Sequence, residues 1–311
     1  MATRTTFFRA AAAGSAALVL AGLAGCASTP ATESDEATAS AESSEIPMPE
    51  FSQELQDLFP AEIVESGVVR AATITLPPYS YKDTDGSTDI GLTWDAVAAM
   101  EAATGLDFDV EVTPSISDVY TGFESDRYDL NISPLSDIPA TQANYDFANW
   151  IAEYVVFLQQ KTSEDTIDSL EAACGHTIAT LQGGTAQKVL EATQAECAEP
   201  IEISLFGDQD SAVLAVKSGR ADAAFSSQIP LTYYTQQDDS LEVSGANSTD
   251  NGFPPFWVGT SAPKGSELID PMLAVYNALR DAGTYDALLE KYGIEDNAMD
   301  EFGINMADMT S

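Results

Sequence analysis

Basic residues, histidine and cysteine are scarce in this sequence of 311 residues. Twelve lysines and arginines face 50 aspartates and glutamates, with one histidine and three cysteines, and the formal net charge is −38. So acidic a chain does not hold phosphate backbones, which excludes nucleic acid as a partner. Its acidity either attracts cationic ligands or makes the whole surface soluble and salt-tolerant, and both interpretations stay open.

Groups that carry common chemistries are also missing. A lone histidine, His176, leaves no Ser-His or Cys-His pair and no metal-ligand cluster, and no phosphate-binding glycine fingerprint is found. The sequence therefore predicts no metal, no cofactor and no enzymatic activity. Paired carboxylates remain possible in so acidic a chain, because pairs formed in space are invisible in a sequence.

Only the amino-terminal region has a long apolar stretch. It runs from Ala10 to Gly25 behind Arg4 and Arg9, and residues 1–25 are predicted to be a secretory signal peptide. The segment Leu23-Ala24-Gly25-Cys26 resembles the lipobox of bacterial lipoproteins, in which Cys26 is acylated and becomes the first mature residue. The alternative is an ordinary signal peptide that is cleaved elsewhere.

Residues 26–50 are predicted to be a disordered acidic tether. From position 27 they contain six acidic residues and no basic or aromatic residue, so they bury too little apolar surface to become ordered. Such a tether spans roughly 27 Å on average. It would hold a globular body at the outer face of the cell membrane, with a lipid anchor as the only membrane contact.

Two cysteines, Cys174 and Cys197, remain in the globular part. The exported context permits a disulfide between them, which would stabilise the fold by about 3 kcal/mol in the chain-entropy model. Two free buried thiols are the alternative.

After the tether, hydrophobic periods of 2 and 3.6 residues alternate, which predicts an α/β fold of two lobes. The first lobe is assigned to 51–157 plus 256–294 and the second to 158–255, joined by two hinge-crossing strands; 295–311 is a tail without a functional account. Ligands of open α/β sheets bind beyond the carboxyl ends of the strands. Here those ends face each other across a cleft, and closure of the hinge around a ligand is expected.

Several short motifs, in order, resemble the family 3 extracellular solute-binding proteins of ATP-driven importers, the polar amino-acid type. They are Pro77-Pro78-Tyr79-Ser80-Tyr81, Tyr128-Asp129-Leu130, Gln182-Gly183-Gly184-Thr185, Ser218-Gly219-Arg220-Ala221-Asp222 and Gly283-Thr284-Tyr285. This resemblance covers about residues 60 to 294. It implies a two-lobed periplasmic-binding-protein-like (type II) fold and a monomer that delivers a small solute to ABC-transporter permease subunits.

The resemblance also suggests where the ligand binds. Gly184 and Thr185, at a helix start, offer backbone N–H groups to a carboxylate, although Thr185 alternatively only caps its helix. Hydroxyl groups of Ser133 and Ser136 follow a strand end in the other lobe. Three aromatic residues either line the cleft or pack the first lobe: Tyr79, Tyr81 and Trp94.

Departures from the family pattern concern the ligand itself. Thr141 stands where amino-acid-binding relatives place a carboxylate-binding arginine, and Ser227 and Thr73 stand where acidic residues are usual. The aromatic positions correspond to Leu76 and, in a looser alignment, to Ile116. Loss of the cation and both anions predicts a ligand other than a standard zwitterionic α-amino acid. A ligand-sensing receptor module and a dehydratase-like enzyme on the same fold are the alternative functions.

Overall fold

The computed structural model describes residues 46–183, 185–245 and 255–309. The predictions for the signal peptide, for Cys26, for most of the tether and for Gly184 lie outside these residues. None of the helices in the described part of the chain is both long and apolar enough to cross a membrane.

Short helices and strands alternate along the described chain. The strands are β1 (Val68–Ile74), β2 (Tyr81–Lys82), β3 (Asp89–Ile90), β4 (Asp107–Thr113), β5 (Leu130–Asp137), β6 (Tyr145–Glu153), β7 (Val155–Gln160), β8 (Thr177–Leu181), β9 (Glu202–Phe206), β10 (Ala223–Ser227), β11 (Leu241–Ser244), β12 (Phe256–Pro263) and β13 (Gly303–Ile304). The α-helices are α1 (Gln53–Gln56), α2 (Ala61–Ser66), α3 (Leu92–Thr104), α4 (Ile116–Glu124), α5 (Pro139–Gln142), α6 (Thr185–Gln194), α7 (Gln209–Lys217), α8 (Gln228–Gln237), α9 (Ile269–Asp281) and α10 (Thr284–Tyr292). Two 3₁₀ turns, Glu295–Asn297 and Met306–Met309, follow α10.

The first lobe contains a six-stranded sheet in the order β13-β6-β12-β5-β1-β4. Strand β1 pairs in parallel with β4 and β5, whereas β12 pairs antiparallel with β5 and β6. Helices cover the sheet because their apolar residues recur at helical spacing. In α3, for example, Ala96, Ala99, Met100 and Ala103 are fully buried.

A single glycine fixes the start of α3. The helix begins at Leu92 with Gly91 as the N-cap residue, and Thr93 is buried in the first turn. Gly91 has φ 125°, and a Cβ atom there would lie 2.4 Å from the Tyr79 carbonyl oxygen. Only glycine fits this close approach of two backbones.

The second lobe contains a five-stranded sheet in the order β11-β7-β10-β8-β9. Strand β8 pairs in parallel with β9 and β10, whereas β7 pairs antiparallel with β10 and β11. Cys174 and Cys197 form the predicted disulfide beside this sheet. The α/β class and the two-lobed organisation are confirmed.

Sheet membership places the first crossing between lobes earlier than expected. Strand β6 of the first sheet ends at Glu153, and β7 of the second sheet begins at Val155. The crossing is therefore at Tyr154, not at the predicted boundary after residue 157. The whole apolar run from Val155 to Leu158 is buried in the second lobe. The return crossing precedes Phe256, the first residue of β12 and the first residue of the predicted return segment.

Both ends of the described chain pack on the first lobe, which corrects two predicted boundaries. The tether was expected to extend to residue 50, but Ile46 packs against the core and the Pro47 carbonyl accepts a 2.5 Å hydrogen bond from Thr284 Oγ1. The tail from residue 295 supplies the edge strand β13, which pairs with β6. Its buried Asn297 donates to the Ala152 carbonyl at 2.8 Å.

Candidate ligand-binding site

The facing ends of the two sheets enclose a cavity of about 160 Å³. Both lobes and both crossings contribute to its lining: Ser136, Ile138, Val155, Thr180, Leu181, Thr185, Ala186, Ser226, Ser227 and Phe256. Three predicted ligand contacts, Ser136, Thr185 and Ser227, are thus brought together. We refer to this space as the hydroxyl cavity.

The polar groups of the hydroxyl cavity are hydroxyls. Thr180 donates to the Phe225 carbonyl at 2.9 Å, and Ser226 donates to Gln209 Oε1 at 2.8 Å, so these two serve the second lobe. Ser136, Thr185 and Ser227 are half-buried and line the cavity. These three are the candidate ligand-binding hydroxyls of the cavity.

Among the described residues, no ionisable side chain lines the hydroxyl cavity. Thr141 stands near it but binds its own loop, because its Oγ1 accepts from the Ile138 N–H at 3.1 Å and lies 2.8 Å from the Ser136 carbonyl oxygen. Thr141 therefore helps to start α5 and shapes the segment that carries Ser136. It supplies no charge where relatives are expected to have an arginine.

Two predicted contacts lie beneath the cleft instead of lining this cavity. Thr73 and Ser133 are fully buried, and Ser133 Oγ accepts from the Ile74 N–H at 2.8 Å and lies 3.3 Å from Thr73 Oγ1. Their hydroxyls satisfy each other and the backbone of β1. Two further positions, Leu76 and Ile116, are half-buried, and neither lines a described cavity.

A buried carboxyl group at the crossing escaped the sequence interpretation. Glu153 is 1% exposed and accepts hydrogen bonds from Tyr79 Oη at 3.2 Å, from the Tyr154 N–H at 3.1 Å and from the Ile229 N–H at 3.2 Å. Desolvation raises its pKa from the ordinary 4.5 to about 7. Predicted as a cleft or packing residue, Tyr79 is a buried partner of this carboxyl group. An acidic residue inside an apolar strand was the available signal.

A second, larger cavity of about 510 Å³ lies between the lobes. Tyr81 and Trp94 line it from the first lobe together with Tyr292, and Tyr233 of α8 lines it from the second lobe. The rings of Tyr81 and Tyr233 meet across the lobes with centroids 5.4 Å apart. We refer to this space as the aromatic cavity. It shares no lining residue with the hydroxyl cavity.

Comparison with known families accounts for this arrangement. The profile of the bacterial extracellular solute-binding proteins, family 3, matches residues 68–295. This chain belongs to that family. The match covers both lobes and both crossings, and it confirms the resemblance suggested by the short motifs.

Individual members of the family 3 proteins agree. The chain is 29% identical over 265 residues to the arginine-binding protein ArgT of Corynebacterium glutamicum, covering 83% of this chain and 84% of ArgT. A mutant of the arginine-binding protein ArgBP from T. maritima superposes with a TM-score of 0.64 at 20% identity, over 77% of this chain and 99% of that one. The ancestral amino-acid-binding protein AncCDT-1, a precursor of cyclohexadienyl dehydratase, gives a TM-score of 0.62 at 24% identity, over 74% and 97%.

These likenesses establish the type II fold of the family 3 proteins for this chain. They also make it a solute-binding protein by family. The chemical class of the solute has to be inferred from the residues that line the cleft.

Proposed function

We propose that this chain is the substrate-binding lipoprotein of an ABC importer, anchored through Cys26 at the outer face of the membrane. A small solute binds in the hydroxyl cavity, the lobes close over it and the permease subunits receive it. Support comes from the family, from the crossings at Tyr154 and before Phe256, and from a cavity lined by both lobes.

The solute is not a standard zwitterionic α-amino acid. One observation carries this proposal: the described lining of the hydroxyl cavity is apolar or hydroxyl-bearing and includes no ionisable side chain. An α-carboxylate and an α-ammonium group that lose their water need charged partners, and truncation of one partner of such a pair typically costs about 2–5 kcal/mol of binding. The cavity suits a neutral or less polar compound that accepts or donates hydrogen bonds through Ser136, Thr185 and Ser227.

Thermal unfolding of the folded part against a ligand panel tests this proposal. The panel starts with arginine, for which ArgT and ArgBP are named, and includes the other amino acids, betaines, polyamines, small dicarboxylates, short peptides and aromatic acids. A ligand of micromolar affinity at 1 mM stabilises the fold by about 4 kcal/mol, a shift on the order of 8 °C. We expect the shift only with compounds that lack the α-amino-acid group. A shift of that size with arginine or another standard amino acid would refute the proposed solute class.

A gain-of-function variant examines the same point in the other direction. Thr141→Arg combined with Ser227→Asp supplies the missing cation and anion, and we expect arginine affinity to rise by about a hundredfold. The matched control puts the same charges on two exposed positions outside the described cavity lining, Thr121→Arg in α4 and Ser125→Asp at the C-cap of α4. An equal gain in both variants would show that net charge, and not the cleft, governs binding.

Anchoring is tested separately from binding. The full chain expressed in a bacterium that processes lipoproteins should partition into the detergent phase, and Cys26→Ala should release it into the aqueous phase. Release of the wild-type chain would leave a secreted receptor and remove the lipid anchor from the proposal.

We also propose that the chain is not an enzyme. The relative ArgT is a binding protein by name, and the carboxyl group of Glu153 is buried and is not among the described lining residues of the hydroxyl cavity. Incubation with the solute found by the panel should return it chemically unchanged; a converted product would favour the dehydratase-like alternative. Sensing would be favoured if deletion of the chain abolished a response to that solute while its uptake continued.

A further inference from the structure

The aromatic cavity has the composition of a binding site. Four separate elements bring ring systems to it: Tyr81 from β2, Trp94 from α3, Tyr233 from α8 and Tyr292 from α10. Ring faces carry the negative part of the aromatic quadrupole and attract cations. A space of about 510 Å³ has room for a small molecule.

The aromatic cavity already contains one ammonium group, that of Lys291, beside a carboxylate. Lys291 Nζ lies 2.5 Å from Asp95 Oδ2 and 5.5 Å from the centroid of the Tyr292 ring. The Tyr292 hydroxyl also donates to Asp95, which holds the carboxylate beside that hydroxyl group. Because the Lys291 side chain is 47% exposed, it can turn towards solvent when another cation takes its place.

We propose that the aromatic cavity binds a small organic cation with a primary or quaternary ammonium group. The ammonium group replaces Lys291 Nζ beside Asp95 and contacts the rings of Tyr81, Tyr233 and Tyr292. The formal net charge of −38 raises the local concentration of such cations. This site is built from residues other than those of the hydroxyl cavity, because the two cavities share no lining residue.

Occupancy of this site would stabilise the present arrangement of the lobes. Tyr233 belongs to the second lobe and the other three rings to the first. Helix α8, which carries Tyr233, begins at the crossing where Glu153 accepts from the Ile229 N–H. A cation that contacts Tyr81 and Tyr233 together therefore opposes rotation of α8 away from the first lobe.

Fluorine NMR of the folded chain labelled with 5-fluorotryptophan tests the proposal without the unknown solute. Choline chloride is the probe, and potassium chloride at equal ionic strength is the control. The chain has three tryptophans, and the Trp94 resonance is identified by its absence in Trp94→Phe. We expect a saturable shift of the Trp94 resonance with choline and none with potassium.

Variants separate a built site from general attraction to an acidic surface. Tyr233→Leu should weaken choline binding at least about fivefold, whereas Tyr233→Phe, which keeps the ring, should retain it. Lys291→Ala removes the internal competitor and should tighten binding about fivefold. Lys217→Ala removes an equivalent half-exposed cation that pairs with Asp238 outside the aromatic cavity, and it should change binding less than twofold.

Unchanged Trp150 and Trp257 resonances would show that each variant is folded. Equal responses to choline and potassium, equal effects of Lys291→Ala and Lys217→Ala, or full binding by folded Tyr233→Leu would each overturn the proposal.

Discussion

The two interlobe cavities are lined by chemically different residues. The hydroxyl cavity is small and has no described ionisable lining, and its polar groups are serine and threonine hydroxyls. By contrast, the aromatic cavity is larger and is lined by Asp89, Asp95 and Lys291 as well as four rings. The contrast teaches that the net acidity of a chain does not decide which residues line a cleft. The chain has a net charge of −38, yet no described ionisable side chain lines the hydroxyl cavity. In the aromatic cavity the charged side chains form ion pairs.

Placing the same new charge in each cavity should break this comparison most strongly. Ser226 is 8% exposed, so Ser226→Asp buries a carboxylate without a cation and should lower the free energy of unfolding by about 3 kcal/mol. Gln237→Asp, at an exposed position of the aromatic cavity, should change it by less than about 0.5 kcal/mol. Urea unfolding at pH 7 measures both. Similar losses would mean that the two cavities are equally hydrated.

Glu153 lies next to the first crossing and accepts from the Ile229 N–H of α8, and its substitution should give the second largest effect. Its folded pKa of about 7 lies above the ordinary 4.5. Stability from its protonated form is therefore complete below pH 4.5 and is lost as the pH rises to about 7. Glu153→Gln mimics the protonated group. At pH 8 its free energy of unfolding should therefore exceed that of the wild type by up to about 3 kcal/mol, an upper bound from the size of the pKa shift.

The measurement is the difference between wild type and Glu153→Gln in urea unfolding from pH 4 to pH 8. Carboxyl groups with lowered pKa values, such as Asp146, titrate below this window and cancel in the difference. We expect the difference to grow between pH 4.5 and 7 and then to stay constant. A difference independent of pH would show that Glu153 is ionised at an ordinary pKa and exposed to water.

Regular features of the fold were open to prediction because they depend on local pattern. Alternation of strands and helices indicated two α/β lobes, and two cysteines in an exported chain indicated their disulfide, which forms between Cys174 and Cys197. The edge strand β13 has only two residues, too few for a period, so the tail was missed. Its place depends on pairing with β6, which lies far away in sequence.

The site was predictable only in part because burial is a tertiary property. Ser136, Thr185 and Ser227 meet in one cavity as helix and strand ends predicted. The same reasoning placed Ser133 in the cleft, but its hydroxyl binds the Ile74 backbone beneath it. Glu153 stands in an apolar strand, but its role was missed because the groups that bind its carboxyl group are distant in sequence. Its partners Tyr79 and Ile229 are more than 70 positions away.

Removing the charge of Asp95, which bonds α3 to α10, should give a smaller effect. Asp95 accepts from Lys291 and Tyr292, so Asp95→Asn should lower the free energy of unfolding by about 1 kcal/mol. The matched change Asp89→Asn affects a pair with Lys82 that is similarly exposed. It should cost less than Asp95→Asn, because Asp95→Asn also weakens the hydrogen bond from Tyr292. Urea unfolding at low and at high salt measures both losses. High salt screens both ion pairs, so the part of the Asp95→Asn loss that comes from the Tyr292 hydrogen bond should remain.

The smallest expected effect concerns the contact between lobes itself. Tyr81 and Tyr233 meet at a tilt of 53°, and such ring pairs contribute about 0.5–1.5 kcal/mol beyond their buried area. A double-mutant cycle of Tyr81→Leu and Tyr233→Leu isolates this coupling in urea unfolding. A cycle of Tyr233→Leu with Tyr120→Leu, whose ring stacks on Tyr145 within the first lobe, should show no coupling. If the first cycle also gives none, the lobes separate at this point in solution, and the aromatic cavity opens without cost when the hinge moves.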